Sequence, residues 1–264
     1  MKLIACMSVY NEAEYLERVL EGLYTHGIDK VIVVDGAYEG FPHKEWRSND
    51  GTLRIIEQCK IRHPDWLILI SAPETGWAGQ EVKRTVYFRV ADTIATAGDW
   101  LIQVDGDEEL AGDLPDYRGY RFRDFLAELP ATGSVTQVNT IYVGIRGMVA
   151  VKDAFNRDNV SYKEGNIDKW AKVYRWMPGL HYGMEHWDIL GGDGERIWDL
   201  GTNFHSQHAA IWEHFYFRHW SDCRSAERKN YKSDYENYRS EYRATHGGCM
   251  NPNEAIEVEY EIER

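Results

Sequence analysis

The amino-acid pattern predicts an α/β fold: a central, mostly parallel sheet flanked by helices, with an aromatic-rich helical segment towards the C-terminus. Two observations predict it. Residues 1–110 alternate short, nearly unbroken apolar runs with longer segments whose apolar residues recur every three or four positions. The runs also lack the in–out alternation of a half-exposed sheet. They therefore read as strands covered on both faces, the arrangement of parallel strands joined by helices.

Leu3 to Val9 is the first such run, and Asn11-Glu12-Ala13-Glu14 follows it as a helix start with carboxylates in the first turn. Leu16, Val19, Leu20 and Leu23 then recur at helical spacing as far as Gly27. Val31 to Val34 is a buried strand ending in Asp35-Gly36. Thr52 to Lys60 reads as a helix, Trp66 to Ile70 as a strand, Gln80 to Ala97 as a helix and Leu101 to Val104 as a fourth strand. Beyond residue 110 the pattern changes. Val135 to Val143 alternates as a strand with Met148 to Phe155 as a candidate partner, and Lys169 to Trp176 is strand-like. Ile211 to Thr245 reads as mostly helical, and Tyr231, Tyr235, Tyr238 and Tyr242 make a stripe suited to core packing. Asn251 to Arg264 is acidic and fits either a loose tail or an edge strand. With no repeat or Pro/Gly-rich linker, the expectation is one domain, residues 1–264, with two functional halves, 1–110 and 111–264.

Composition narrows the function classes. A formal charge of −13 argues against a broad nucleic-acid or anionic-lipid surface. Cys6, Cys59, Cys223 and Cys249 are scattered without a Cys-x-x-Cys pair, so neither a zinc knuckle nor a disulfide framework is indicated. The N-terminus turns polar too soon for a signal peptide, and no apolar run approaches the ~18 residues of a membrane helix. A cytoplasmic protein is expected. Ten Trp and seventeen Tyr suit a core and also sites that bind sugars or bases.

The strongest chemical signal is Trp100-Leu-Ile-Gln-Val-Asp105-Gly-Asp107-Glu108-Glu109, an apolar run opening into four carboxylates within five residues. Crowded carboxylates repel unless water, cations or a ligand offset the charge. Asp105 and Asp107 project to one side of an extended backbone, and such hard oxygen ligands suit Mg²⁺ or Mn²⁺ held jointly with a substrate's phosphates. A solvated acidic loop explains the same residues without a ligand. In open parallel sheets ligands sit beyond the carboxyl ends of the strands, where Ser8 to Glu12, Asp35 and Asp105 to Glu109 all fall.

The ordered series Ser8-Val-Tyr10-Asn11-Glu12, Val31-Ile-Val-Val-Asp35, Ser48-Asn-Asp50-Gly51-Thr52, Lys83-Arg84 and Asp105-Gly-Asp107 resembles family-two glycosyltransferases of the GT-A (Rossmann-like) fold over roughly residues 1–110. The resemblance implies that Ser8, Tyr10, Glu12 and Asp35 bind the nucleoside, and that Asp105 and Asp107 hold the divalent metal at the diphosphate. Lys83 and Arg84 would add cationic charge there, with a solvated helix face as the alternative. The sequence departs from the family in the stretch Gly36 to Arg47, which separates Asp35 from the Ser48–Thr52 segment. Asp50 is therefore equally readable as a helix cap.

In the second half, Lys172-Val-Tyr-Arg175-Trp176 partly resembles the Gln-x-x-Arg-Trp motif of processive relatives, with Lys in place of Gln. His181-Tyr-Gly-Met-Glu185-His186-Trp187-Asp188 lies where the family often places its acceptor-side acid, which makes Glu185 the candidate general base and Asp188 the next. His219, followed by a basic, Ser-containing stretch, resembles the family's C-terminal metal ligand, with His186, His205, His208 and His214 as competitors. The implied activity is metal-dependent transfer of one sugar from a nucleoside diphosphate sugar, UDP by family habit, to a hydroxyl acceptor. The alternatives are a nucleotidyltransferase, against which stands the lack of an early Gly-rich phosphate loop, and a non-catalytic nucleotide- or sugar-binding module.

Overall fold

A computed structural model describes residues 1–41, 44–112, 122–128, 135–142, 167–183, 189–194, 215–220, 225 and 262–263. The first half alternates β1 (Leu3–Val9), α1 (Leu16–Thr25), β2 (Lys30–Asp35), α2 (Thr52–Arg62), β3 (Leu67–Ile70), α3 (Gln80–Ile94) and β4 (Trp100–Asp105). After these come β5 (Glu108–Gly112), α4 (Phe122–Glu128), β6 (Val135–Tyr142), β7 (Ile167–Arg175), β8 (His181–Tyr182), β9 (Ile189–Leu190), β10 (Phe215–His219) and β11 (Ile262–Glu263). Among the described residues nine strands form one mixed sheet in the order β11-β3-β2-β1-β4-β7-β6-β10-β5, and β8 pairs with β9. The β3-β2-β1-β4 block is parallel; β7, β5 and β11 run antiparallel to their neighbours.

The unbroken apolar runs are explained by two cores. Leu3, Ala5, Met7 and Val9 of β1 pack with Leu16, Val19, Leu20 and Leu23 of α1 and Ile55, Ile56 and Cys59 of α2 on one face. Ile4 and Cys6 point the other way, into Val86, Phe88, Val90 and Ala91 of α3 and Tyr182 of β8. Every second residue thus faces a different layer, and both layers are buried. Burial of this kind stabilises by about 25 cal/mol per Å² of apolar surface, so a polar residue inside β1 or β2 would be strongly disfavoured.

Several boundaries differ from the sequence reading. The first helix begins at Leu16 rather than at Asn11, because Asn11 adopts a left-handed conformation (φ 52°) and residues 12–15 form a turn closed by Leu16 N–H on the Glu12 carbonyl (3.1 Å). α3 ends at Ile94, three residues before Ala97. Phe215–His219, read as part of a helix, is a strand between β5 and β6; its Phe-Tyr-Phe run has the aromatic character that strands favour, and pairing on both edges overrides the helical spacing. Glu108 and Glu109 belong to β5 rather than to a solvated loop. Of the two readings of the C-terminus, Ile262–Glu263 adopts the edge strand, on β3. Both edges of β6 are taken by β7 and β10; Met148–Phe155 and the Tyr231–Tyr242 stripe lie outside the described residues. Among the described residues no helix is long and apolar enough to cross a membrane.

Candidate functional site at the strand ends

Register assembles the site. Ser8 lies beside Val34 on one side and Asp105 on the other, and Val9 is level with Asp35. The carboxyl ends of β1, β2 and β4 therefore present Ser8, Asp35 and Asp105 in one row, with Tyr10 to Glu12 continuing from β1.

The segment 48–52 is sewn onto the segment 11–13. Ser48 Oγ accepts the Asn11 N–H (2.8 Å), Asn11 Oδ1 accepts the Asn49 N–H (2.9 Å), and Thr52 Oγ1 accepts the Glu12 N–H (2.8 Å). Asp50 has both a capping and a bridging role: Oδ1 accepts the Thr52 N–H (3.0 Å) at the start of α2, and Oδ2 accepts the Ala13 N–H (3.0 Å). Asp35 is fully buried. Its carboxylate accepts the N–H of Ser48 (3.1 Å) and the Ser48 hydroxyl, so it ties the end of β2 to the start of the sewn segment. Burial pushes its carboxyl pKa up, partly opposed by the Ser48 hydrogen bond and the Lys83 charge. Gly36 follows with φ +117°, and a Cβ there would lie 2.3 Å from that of Ala72, so only glycine fits the turn.

The intervening loop folds back over these strand ends. Tyr10 donates its hydroxyl to the Glu45 carbonyl (2.8 Å) and sets its ring edge-on to Phe41 (5.5 Å), which also contacts Tyr38 (5.1 Å). Trp77 Nε1 donates to the Asp35 carbonyl (2.8 Å).

The two cations at the start of α3 point inward. Lys83 is 2% exposed and donates from Nζ to the Val9 carbonyl (2.8 Å) at the end of β1. Burial lowers its pKa to about 7, the Asp35 charge acting in the other direction. Arg84 pairs with Asp105 (Nη2–Oδ1 2.9 Å) and lies 5.9 Å from the centre of the Tyr182 ring.

The turn between β4 and β5 is held from three sides. Glu108 is buried against Lys172 of β7 (2.6 Å and 2.7 Å) while its Oε2 accepts the Asp105 N–H (2.9 Å). Lys172 is thus the counter-ion of Glu108. Asp107, 4% exposed, faces His219 at the end of β10 (Oδ2–Nδ1 3.7 Å), and His219 Nε2 lies 3.9 Å from Glu108 Oε1. Gly106 rests on Glu12: a Cβ at 106 would lie 2.7 Å from Glu12 Cγ and 2.9 Å from its Cβ. The segment that carries Glu12 and the acidic turn are in direct contact through that missing side chain.

Ser8, Tyr10, Glu12, Asp35, Lys83, Arg84, Asp105, Asp107 and His219 all belong to this strand-end region. Glu185 and Asp188 lie outside the described residues, although β8, immediately before them, is fixed by Tyr182 N–H on Thr85 Oγ1 (3.1 Å) and the Tyr182–Tyr87 hydroxyl contact (2.6 Å). Sequence reasoning missed Lys172, whose place in an imperfect motif was its one signal, and Trp220, whose one signal was its neighbour His219. Among the described residues no three His, Cys, Asp or Glu side chains converge into a metal cage.

No protein-family model and no curated protein matches this chain. Among solved structures it is similar to S. aureus TarS 1–349, at 22% identity and a TM-score of 0.40 over 66% of this chain and 47% of that one. A second structure of S. aureus TarS matches at 19% identity and a TM-score of 0.38, over 66% of this chain and 28% of that one. The chain thus spans less than half the length of either structure.

Proposed function

We propose that this protein is a metal-dependent glycosyltransferase that moves one sugar from a nucleoside diphosphate sugar, UDP-linked by the family resemblance, to a hydroxyl acceptor. The observation that carries the reading is the juxtaposition at Gly106, which sets the Tyr10–Glu12 segment directly on the Asp105–Asp107 turn. A nucleotide sugar needs both at once, one for the nucleoside and the other for the diphosphate. The residues fit a hard divalent cation: Asp107 and His219 face one another, and such ions commonly take one or two protein carboxylates and complete their shell with phosphate oxygens and water. An imidazole in the set favours Mn²⁺ over Mg²⁺. Asp107 and His219 would hold it, with Asp105 beside them; the ion, when bound, offsets the charge that develops on the departing diphosphate.

The chain's own residues prepare that step. Lys83 fixes the carbonyl at the end of β1, Arg84 orients Asp105, and the Glu108–Lys172 pair keeps the turn from splaying under its own charge. Asp35 shapes the nucleoside pocket through Ser48. In this reading Glu185, with Asp188 as its rival, takes the proton from the attacking hydroxyl. Calorimetry of UDP with Mn²⁺ and with EDTA is the test. Binding is expected only with the cation, and Asp107→Asn is expected to weaken it about tenfold or more without lowering the melting temperature, because it relieves carboxylate repulsion. Equal affinity in EDTA overturns the reading.

A further inference from the structure

The residue after His219 makes four contacts that the proposed chemistry does not require. Trp220 donates its backbone N–H to the Asp107 carbonyl (2.9 Å). Its indole stacks on Tyr15 (5.5 Å between centroids, 11° between planes), and the Arg18 guanidinium lies 4.4 Å from the ring centre. Its Nε1 donates to Glu109 Oε2 (3.2 Å), the same oxygen that accepts Arg18 Nε (2.8 Å). Tyr15 and Arg18 belong to the entry and first turn of α1, three residues apart and so on one face. Glu109 is two residues beyond Asp107. The contacts of Trp220 with Tyr15, Arg18 and Glu109 therefore join three separate parts of the chain at one point.

We propose that Trp220 is a positioning residue that seats His219 against Asp107 by locking the end of β10 onto α1 and the acidic turn. The inference rests on the proposed function only for its ligand readout. Strand pairing alone places the His219 backbone beside Glu108, not beside Asp107. The Trp220 N–H on the Asp107 carbonyl carries that ladder one rung further, to the residue that faces the His219 imidazole, and the indole, stacked on Tyr15 and bonded to Glu109, holds the rung in place. A flat ring with one donor suits this task, because it combines a large packing area with a directional bond at low conformational cost. The lock also links Asp107 to the segment that carries Glu12, since Tyr15 follows Glu12 in the turn entering α1.

The test is a double-mutant cycle read in two ways. In the ligand-free protein, amide exchange at His219 and Trp220 is expected to quicken in Trp220→Ala and to stay near wild type in Trp220→Phe, which keeps the ring on Tyr15. With Mn²⁺ and UDP, Trp220→Ala is expected to lower affinity about tenfold, within the range for coupled neighbours, but less than about twofold in a His219→Ala background. Additive losses, or unchanged exchange, overturn the proposal. If wild type binds no nucleotide with Mn²⁺, the functional reading fails while the exchange result still decides the role of Trp220. Should Trp220→Ala not fold, Tyr15→Ala removes the stacking partner from outside the strand and is expected to quicken exchange at the same two amides; unchanged exchange there also overturns it.

Discussion

Gly106→Ala is the smallest change that probes how the two halves of the site meet. The backbone at 106 lies outside the left-handed region, so alanine adds no torsional strain and the whole effect is steric. The new methyl would stand 2.7 Å from Glu12 Cγ and 2.9 Å from Glu12 Cβ, both inside any tolerated carbon–carbon contact. Those atoms are the root of the Glu12 side chain rather than its mobile end, and the Glu12 N–H is itself held by Thr52. The turn must therefore move as a unit. Overpacking of this type costs about 1–3 kcal/mol, which at about 2–4 °C per kcal/mol for a chain of this size lowers the melting temperature by ~2–12 °C. Adding Glu12→Ala removes the nearer clash and leaves the 2.9 Å one, so the double variant should recover part of the loss, not all. Calorimetric melting of the three variants measures it, with UDP affinity in Mn²⁺ followed in parallel. A wild-type melting temperature and affinity in Gly106→Ala would refute the contact.

Lys172→Met leaves Glu108 charged and buried without its counter-ion, and removal of one partner of such a pair costs ~3–5 kcal/mol. Urea denaturation should show that loss, and Glu108→Gln in the same chain should restore part of it; no loss in the single variant refutes the pairing. His26, buried at the end of α1, has its pKa lowered to about 4, chiefly by desolvation and then by Arg218. The unfolded chain takes up that proton near pH 6.5 and the folded one only near 4. This contribution is thus complete above 6.5 and falls away as pH drops through 4, by about 3 kcal/mol in total. Urea midpoints of wild type and His26→Gln should converge or cross over that window, and a constant difference refutes it.

The parallel half of the fold was legible because its physics is local. A strand covered on both faces must be nearly all apolar, and Leu3–Val9, Val31–Val34 and Leu101–Val104 are, with Ser8 and Gln103 as the exceptions. The strand-end rule then placed Ser8, Asp35 and Asp105 together without any contact being known. What could not be read depended on partners far along the chain. Phe215–His219 carries no alternation, and its identity as a strand comes from the edges of β5 and β6. Glu108 and Lys172 are 64 residues apart, and the acidic run gave no sign that one of its members was an internal ion. Lys83 and Arg84 read either as cations near the diphosphate or as a solvated helix face; the structure removes the second reading, because α3 is buried over most of its surface, a fact set by its packing on the sheet and β8 and not by the helix's own spacing.

The clasp between Asp35 and Ser48 separates anchorage from variation. On its inner side the chain has fixed atoms: the Gly36 N–H on the Val9 carbonyl, the Ala37 N–H on the Trp46 carbonyl and the sewn segment from Ser48 onward. The stretch between them is a closed loop whose ends do not depend on its length, and each doubling of such a loop costs only about 0.6 kcal/mol in closure entropy. A graft or insertion near Glu39 and Gly40 would leave the row of strand ends where it is and alter only what passes over the aromatic cover. The protein thus carries a loop of adjustable length beside a fixed floor, so the cover over the strand ends can be rebuilt without refolding what lies beneath it.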